Sequence, residues 1–178
     1  MKSTARFGRY VIIGALLIAA YVGYMYFNAA KVSFNEVRRD GIVLMGSMRS
    51  YSSTEEFKRR MTAQGLVCVV KVAGYPYLNK GVPSLIFTTV KTSGFIYLDE
   101  LGRLEADFVN DRLYQLRFIP SNAAAFLIKA RSVGAAQSEG FRGPGGDLTT
   151  KFYPETGELW WADERLLEEI RLWQSRYQ

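Results

Sequence analysis

Two acidic residues, Glu105 and Asp107, have the residue type and the spacing that acid–base chemistry requires. On a β-strand, residues i and i+2 project from one face about 7 Å apart, which is compatible with the paired carboxylates of a glycoside hydrolase. The most favourable hairpin register, however, places Arg117 opposite Glu105 on the polar face of a half-buried sheet. Because surface ion pairs of this kind are common, we favour a solvated, ion-paired face and assign no catalytic residue.

The composition excludes several kinds of catalytic site. The 178-residue chain has no histidine and a single cysteine, Cys68, within the apolar run LVCVV. Without histidine there is no Ser–His or Cys–His nucleophile pair, and the commonest zinc ligand is missing. One cysteine permits neither an intramolecular disulfide nor a thiolate metal cluster. The neighbouring acids Asp99 and Glu100 form no specific cation site, and we predict neither a metal nor a cofactor.

The positive charge is concentrated at the amino-terminal end. The chain has a net charge of +6. Lys2, Arg6 and Arg9 precede a long apolar run, which leaves residues 31–178 at only +3. A nucleic-acid-binding protein would show a dense Lys/Arg stripe with interleaved aromatic residues. The sequence has no such stripe, and we predict no binding to nucleic acid.

The apolar run from Tyr10 to Ala30 contains no charged residue. As a helix its 21 residues would extend about 31 Å, which matches the ~30 Å hydrocarbon core of a bilayer. A cleaved signal peptide would have a shorter apolar core and a small-x-small cleavage site. Here Phe27 or Asn28 stands three residues before a cut at the Ala29-Ala30 exit. We therefore favour a retained signal-anchor, and whether the leader is ever cleaved stays open.

The basic leader predicts the orientation of this span. By the positive-inside rule, residues 1–9 lie in the cytoplasm and residues 31–178 outside it. The protein is then a single-pass inner-membrane protein of a Gram-negative bacterium, with a periplasmic carboxyl-terminal domain. Ala15, Ala19 and Gly23 lie on one helix face, where close approach would allow binding to a partner helix or homo-oligomerisation. The alternative is that small residues are simply common in membrane spans.

Hydrophobic periodicity predicts one α+β domain over residues 31–178, with a mainly antiparallel sheet packed by about three helices. Ser53 and Glu56 form a capping box at the first helix, which ends at Gly65. Ser121 caps the second helix and Asp163 the third. Residues 32–39 and 42–47 are predicted as a hairpin around a turn at 40–41, or as a linker followed by a strand. Further strands are predicted at 66–72, 84–91, 101–109, 113–119, 148–153 and 158–161, and a mobile glycine-rich loop at 133–147.

The hairpin of residues 101–119 has a register set by its apolar residues. A three-residue loop, Asn110 to Arg112, keeps the apolar side chains on one face, whereas a two-residue turn mixes the faces. This register pairs Phe108 with Tyr114, Ala106 with Leu116, Leu104 with Phe118 and Glu105 with Arg117. It also requires Arg112 to adopt a left-handed conformation.

A loop at residues 74–83 (GYPYLNKGVP) presents Tyr75 and Tyr77 around a proline. Tyrosines in such a loop offer wide contact area at small entropic cost, as in a binding platform for a partner protein. A loop held on the core by its aromatic rings is the alternative that we favour, because connecting loops normally pack on the domain surface.

Two segments carry a resemblance to known proteins, GRLEADFVNDRLYQLRFIPSN and ELWWADERLLEEIRLWQSRYQ. Their hydrophobic pattern resembles that of uncharacterised bacterial families of small membrane-anchored envelope proteins. The resemblance implies an anchored envelope domain and brings no activity or functional residue with it. We predict an interaction or scaffold module that contacts the lipid bilayer and another envelope protein. The alternative is a carboxylate-dependent hydrolase acting on envelope glycan.

Overall fold

The structure, a computed structural model, describes residues 18–21, 40–75, 83–132, 141–142 and 147–177. The chain divides into two units, Met1–Val37 and Arg38–Gln178. In the first unit, residues 18–21 are helical and Ala19 is exposed. Ala15 and Gly23 lie outside the described residues, as does most of the predicted membrane span. Within the described ranges, no helix is long and apolar enough to cross a membrane.

The second unit has the predicted α+β architecture, built around one antiparallel sheet. In the part that the structure describes, its elements are β1 (Val43–Met45), β2 (Met48–Arg49), α1 (Thr54–Ala63), β3 (Cys68–Tyr75), β4 (Leu85–Tyr97), β5 (Glu100–Val109), β6 (Arg112–Pro120), α2 (Ala123–Ser132), β7 (Phe141–Arg142), β8 (Leu148–Tyr153), β9 (Glu158–Asp163) and α3 (Glu164–Tyr177). Strands β1 and β2 form a separate hairpin. Among the described residues, the main sheet has seven strands in the order β3-β4-β5-β6-β9-β8-β7.

One face of the sheet packs on the main hydrophobic core. Every second residue of β5 contributes to it, and the side chains of Leu104, Ala106 and Phe108 are completely buried. Helix α1 adds Phe57, whose ring packs edge-on against Phe108 at 5.9 Å. Helix α2 adds Phe126, 5.2 Å from the ring of Phe118. Because strand side chains alternate between faces, the intervening residues of β5 project to the other side, which we call the outer face.

Helix α3 covers one end of the outer face. Leu85 and Val109 point to that face by alternation and are fully buried, although they lie outside the main core cluster. The Nε1 of Trp173 donates to the carbonyl of Pro83 at 2.8 Å, beside the start of β4. Glu169 pairs with Arg112 at 2.9 Å. The rest of the outer face is left open by the described elements.

The helix boundaries follow the predicted caps with one exception. The Ser53 hydroxyl accepts a hydrogen bond from the Glu56 amide at 3.1 Å, and Gly65 adopts a φ of 76° after α1, as predicted. In α2 the cap is Asn122, whose Oδ1 accepts from the Ala125 amide at 3.0 Å. The predicted cap, Ser121, is wrong by one residue. Its amide donates to the Leu101 carbonyl and so continues the pairing of β6 with β5.

The loop of the β5–β6 hairpin is one residue shorter than predicted. Three predicted pairings are confirmed: Leu104 with Phe118, Glu105 with Arg117 and Ala106 with Leu116. The pairing of Phe108 with Tyr114 is wrong, since Phe108 faces Leu113 and the register shifts at this point. Asn110 and Asp111, with φ of 47° and 58°, make a two-residue turn, and Tyr114 is the extra residue of a β-bulge. Asn and Asp adopt the left-handed conformation more readily than Arg. The turn therefore uses Asn110 and Asp111, and the extra residue of the hairpin is accommodated by the bulge at Tyr114 rather than by a left-handed Arg112.

Other strand boundaries also differ from the prediction, and β3 extends from Cys68 to Tyr75 rather than over residues 66–72. Strand β4 continues to Tyr97, six residues beyond the predicted end, because Gly94 with a φ of 82° lets the strand bend between two paired segments. The first hairpin turns between Met45 and Met48 rather than at residues 40–41. Residues 32–39, its predicted first arm, lie outside the described ranges. Of the predicted loop 133–147, residues 141–142 pair with β8.

Gly102 tests the packing between β5 and the core. A Cβ at this position would lie 2.7 Å from the Phe118 ring and 2.5 Å from the Ile119 carbonyl oxygen. We expect Gly102→Ala to lower the free energy of unfolding by about 1–3 kcal/mol, because a close-packed core resists added volume. Urea denaturation would measure it.

Gly74→Ala is the matched control, since a Cβ there meets no atom closer than 3.4 Å. We expect it to change the free energy of unfolding by less than about 0.5 kcal/mol. Equal effects of the two substitutions would contradict this packing argument.

Candidate functional site

The outer face places Glu105 within a row of side chains that crosses five strands. Neighbouring strands pair Lys91 with Glu105, Glu105 with Arg117, Arg117 with Trp160, and Trp160 with Lys151. Arg103 precedes Glu105 by two residues on β5 and shares its face. The row therefore brings together charged residues from four strands and Trp160 from a fifth, although they are distant in sequence.

Glu105 is buried beneath three basic side chains. Its carboxylate is inaccessible to solvent and pairs with Lys91 Nζ and Arg103 Nε, each at 2.9 Å, and with Arg117 Nη2. The predicted pairing with Arg117 is confirmed, but the predicted solvation of Glu105 is wrong. The aliphatic parts of long basic side chains can lie over a neighbouring group while their charged ends stay near water, and three such chains converge here.

The surroundings of Glu105 favour its ionised form, and Asp107 is held by hydrogen bonds. Burial by itself raises the pKa of Glu105, but the hydrogen bonding and positive charges of Lys91 and Arg117 together outweigh it and hold the pKa below its usual value. Asp107 accepts hydrogen bonds from Thr89 Oγ1 at 2.7 Å and Gln115 Nε2 at 3.0 Å. A general acid needs a raised pKa and access to substrate. In this arrangement Glu105 has neither, and its chemical role is to position three cations.

Tyr114, which lies near these acids, has a pKa too high for proton transfer at neutral pH. Burial, reinforced by the charge of Asp107, raises the pKa of Tyr114 far above its ordinary value. Its ring packs edge-on against Phe87 at 6.4 Å. Tyr114 is therefore a neutral packing residue at neutral pH.

Strand β3 forms one edge of the sheet. It pairs with β4 along its whole length from Cys68 to Tyr75, and no other described strand pairs with it. Val69, Val70 and Val72 are 66%, 44% and 64% exposed. Tyr75, one of the two predicted contact tyrosines, is the last residue of this strand, and Tyr77 lies outside the described residues. Residues 68–75 thus present apolar side chains beside free backbone groups on the described sheet.

A second buried charge, Asp163, was predicted only as a helix cap. Its carboxylate is inaccessible to solvent and accepts from the Ser50 hydroxyl at 2.6 Å and from Arg165 Nη2 at 2.7 Å. It also accepts from the Arg165 amide at 3.0 Å, as a capping residue does. The Asp-x-Arg spacing was visible in the sequence, but nothing in the sequence indicated Ser50, which lies 113 positions away.

Tyr51 extends this polar cluster. The guanidinium groups of Arg112 and Arg165 lie 5.9 and 5.6 Å from the centroid of its ring. Its φ is 63°, a conformation that costs a bulky residue of order 1–3 kcal/mol. Burial, followed by the charges of Glu169 and Asp163, raises the pKa of the phenol. The cluster therefore holds the first described residues of the second unit against β6, β9 and α3.

A cavity of about 390 Å³ lies between the β1–β2 hairpin, α1 and β4. Its lining is mostly apolar and includes Met45, Met48, Met61, Phe95 and Tyr97. Within the described residues, no three acidic or cysteine side chains come close enough to hold a metal ion. Cys68 is a free thiol, and partial burial raises its pKa.

Comparison with known proteins adds no family to this description. No protein-family model matches the chain, and no curated protein matches it either.

Glu105→Gln tests the buried ion cluster through its pH dependence. Because the folded-state pKa is below its ordinary value near 4.5, the Glu105 carboxylate stabilises the protein above that pH and loses this contribution as pH falls below it. At neutral pH we expect the variant to lose about 1–3 kcal/mol of unfolding free energy. The difference from wild type should shrink on acidification, as chemical denaturation at several pH values would measure. A difference independent of pH would contradict the assignment.

Asp163→Asn tests the second cluster. The amide would leave Arg165 without its buried anionic partner, and we expect a loss of about 3–5 kcal/mol in unfolding free energy. Asp147→Asn is the control, because Asp147 is 46% exposed and 3.7 Å from the same Arg165. An exposed pair of this kind contributes about 0–1 kcal/mol. Similar losses in the two variants, measured by thermal or urea unfolding, would contradict the role given to Asp163.

Proposed function

We propose that this protein is a membrane-anchored envelope protein whose carboxyl-terminal domain binds another protein and performs no catalysis. Residues 10–30 would anchor it in the inner membrane of a Gram-negative bacterium, with residues 1–9 in the cytoplasm and the domain in the periplasm. Ala15, Ala19 and Gly23 would allow contact between spans, including homo-oligomerisation. The domain would act as the docking unit.

The observation that carries this proposal is the edge strand β3. An exposed, apolar edge strand offers unpaired N–H and C=O groups that a strand of another chain can bind. Edge strands of monomeric proteins are usually short, bulged or charged, which prevents such pairing. Strand β3 has eight residues, and Lys71 is the only charged one. Tyr75 and Tyr77, at its end and just beyond it, would supply further contact area.

The acidic residues support a non-catalytic role. Hydrolysis by a carboxylate pair requires one acid that is protonated near neutral pH and both groups in contact with substrate. Glu105 is inaccessible and its pKa is lowered, so the alternative of a glycan hydrolase has no proton donor at this position. The same three cations that exclude acid catalysis leave an ordered, positively charged surface.

The test uses the full-length protein in its native membrane. An amine-reactive crosslinker should join Lys71, which is exposed on β3, to a second envelope protein. Mass spectrometry would identify the crosslinked peptides. We expect Val69→Glu/Val72→Glu to reduce this product at least about tenfold, because charges on an edge strand disfavour strand pairing.

The control is Ile128→Glu/Leu172→Glu, which makes the same chemical change at side chains that are 72% and 58% exposed on α2 and α3. We expect wild-type crosslinking from this variant. Unchanged crosslinking in the β3 variant, with an unchanged melting temperature, would contradict docking at the edge. A glycan-hydrolysing activity lost in Glu105→Gln and Asp107→Asn would contradict the non-catalytic assignment.

A further inference from the structure

The open part of the outer face presents cations while its acids are occupied. Its basic side chains, placed by strand register and alternation, are Lys71, Lys91, Arg103, Arg117 and Lys151. The carboxylate of Glu105 is buried and paired three times, and that of Asp107 accepts two hydrogen bonds from the protein. Glu158 accepts from the Trp160 indole at 3.3 Å. Five basic side chains against three carboxylates leave this face with a net positive charge.

Large aliphatic side chains lie beside these cations. Val69 is cross-strand neighbour to Lys91 and is 66% exposed. Ile96 and Leu101 pair across β4 and β5, beside Arg103, and are 65% and 52% exposed. The alternation of β5 puts Leu101 on the same face as Arg103. Exposed aliphatic residues among cations distinguish this face from an ordinary solvated sheet surface.

An aromatic residue completes the face. Trp160 is half-buried, and the Arg117 guanidinium lies over its ring at 4.9 Å. Tyr153 packs against the same ring at 5.5 Å. Tryptophan and tyrosine are enriched where proteins meet the membrane–water interface, because their rings suit a boundary that is apolar on one side and hydrated on the other.

We propose that the open outer face docks on the anionic headgroup surface of the membrane that carries the protein. The inference rests on the proposed anchoring by residues 10–30. Only the ten residues 31–40 join Ala30 to the first described residues of the domain, a tether of at most about 35 Å. Cations at the surface of an anionic leaflet are each attracted by about 1 kcal/mol within a Debye length, and a tether of this length would allow the face to reach that layer.

The mixture of side chains favours a lipid surface over a nucleic acid. Arg103, Lys91 and Lys151 would contact lipid phosphates, while Ile96 and Leu101 would enter the boundary between headgroups and acyl chains, as the apolar side of an interfacial helix does. A nucleic acid would contact the same cations but offers no apolar layer for the aliphatic residues. An anionic membrane surface satisfies both groups at once.

The experiment uses the full-length chain inserted in vesicles whose lipids carry bromine near the headgroup end of the acyl chains. Tryptophan quenching reports the approach of the face to the bilayer. The three tryptophans are residues 160, 161 and 173, and the predicted span contains none. Trp161 and Trp173 are buried, so comparison with Trp160→Phe isolates the signal of Trp160. We expect strong quenching in phosphatidylglycerol-containing vesicles and weak quenching in pure phosphatidylcholine.

Charge variants test the contacts directly. We expect Arg103→Gln/Lys151→Gln to lower the ratio of docked to undocked protein about fivefold for each charge removed, while Lys91 and Arg117 still neutralise Glu105. Lys58→Gln/Arg59→Gln removes the same charge from α1, which packs on the opposite face of the sheet, and should leave quenching unchanged. If the first variant is unfolded by circular dichroism, Ile96→Gln/Leu101→Gln provides a second test, with quenching again reduced.

Several results would overturn the inference while leaving the anchoring intact, and the first three come from the quenching measurements. These are an inserted chain whose Trp160 is not quenched, quenching that is equal in both kinds of vesicle, and equal effects of the two charge variants. Displacement by inorganic phosphate, beyond that by chloride at the same ionic strength, would instead assign the cations to a soluble anion. Shielding of Trp160 only when an RNA or another envelope protein is added would also overturn it. Release of the chain from vesicles by alkaline carbonate would overturn the proposed anchoring, and the docking with it.

Discussion

The alternation of side chains along β5 is the constraint on which the rest of the domain depends. Leu104, Ala106 and Phe108 are fully buried on one side, while Arg103, Glu105 and Asp107 project to the other. A shift of one residue would exchange the two sets, placing three charged side chains in the core. The apolar set packs in the core with side chains of α1 and α2, and the charged set forms ion pairs and hydrogen bonds on the outer face. Both the stability of the domain and its candidate surface follow from this single register.

Burial of Glu105 on the outer face follows from the alternation of side chains along β5. An isolated ionised carboxylate is costly to remove from water, and here three cations from three strands offset the cost. A buried ion pair stabilises a fold little compared with an apolar replacement. Its effect is geometric, because one carboxylate fixes the positions of Lys91, Arg103 and Arg117. The result is an ordered basic surface on a sheet that is only partly covered by α3, with an apolar edge strand at its side.

The cluster of Ser50, Asp163 and Arg165 has a different role. It joins residues near the start of the domain to β9 and α3, more than a hundred positions further along the chain. Tyr51 has a positive φ, and two guanidinium groups lie near its ring. These contacts offset the local backbone strain. If residues 10–30 anchor the protein as proposed, this cluster connects the segment nearest the anchor to the rest of the domain.

The sequence alone determined the elements whose signals are local. The α1 capping box, the Asp163 cap of α3 and the pairing of Glu105 with Arg117 were all predicted, because caps and strand alternation act over a few residues. The lack of histidine likewise restricts catalysis without any structure. The turn at Asn110-Asp111, the bulge at Tyr114 and the burial of Glu105 were decided only by the tertiary structure. Each depends on the competing cost of several backbone conformations, or on side chains from strands far apart in sequence, and no local pattern encodes which of those strands become neighbours.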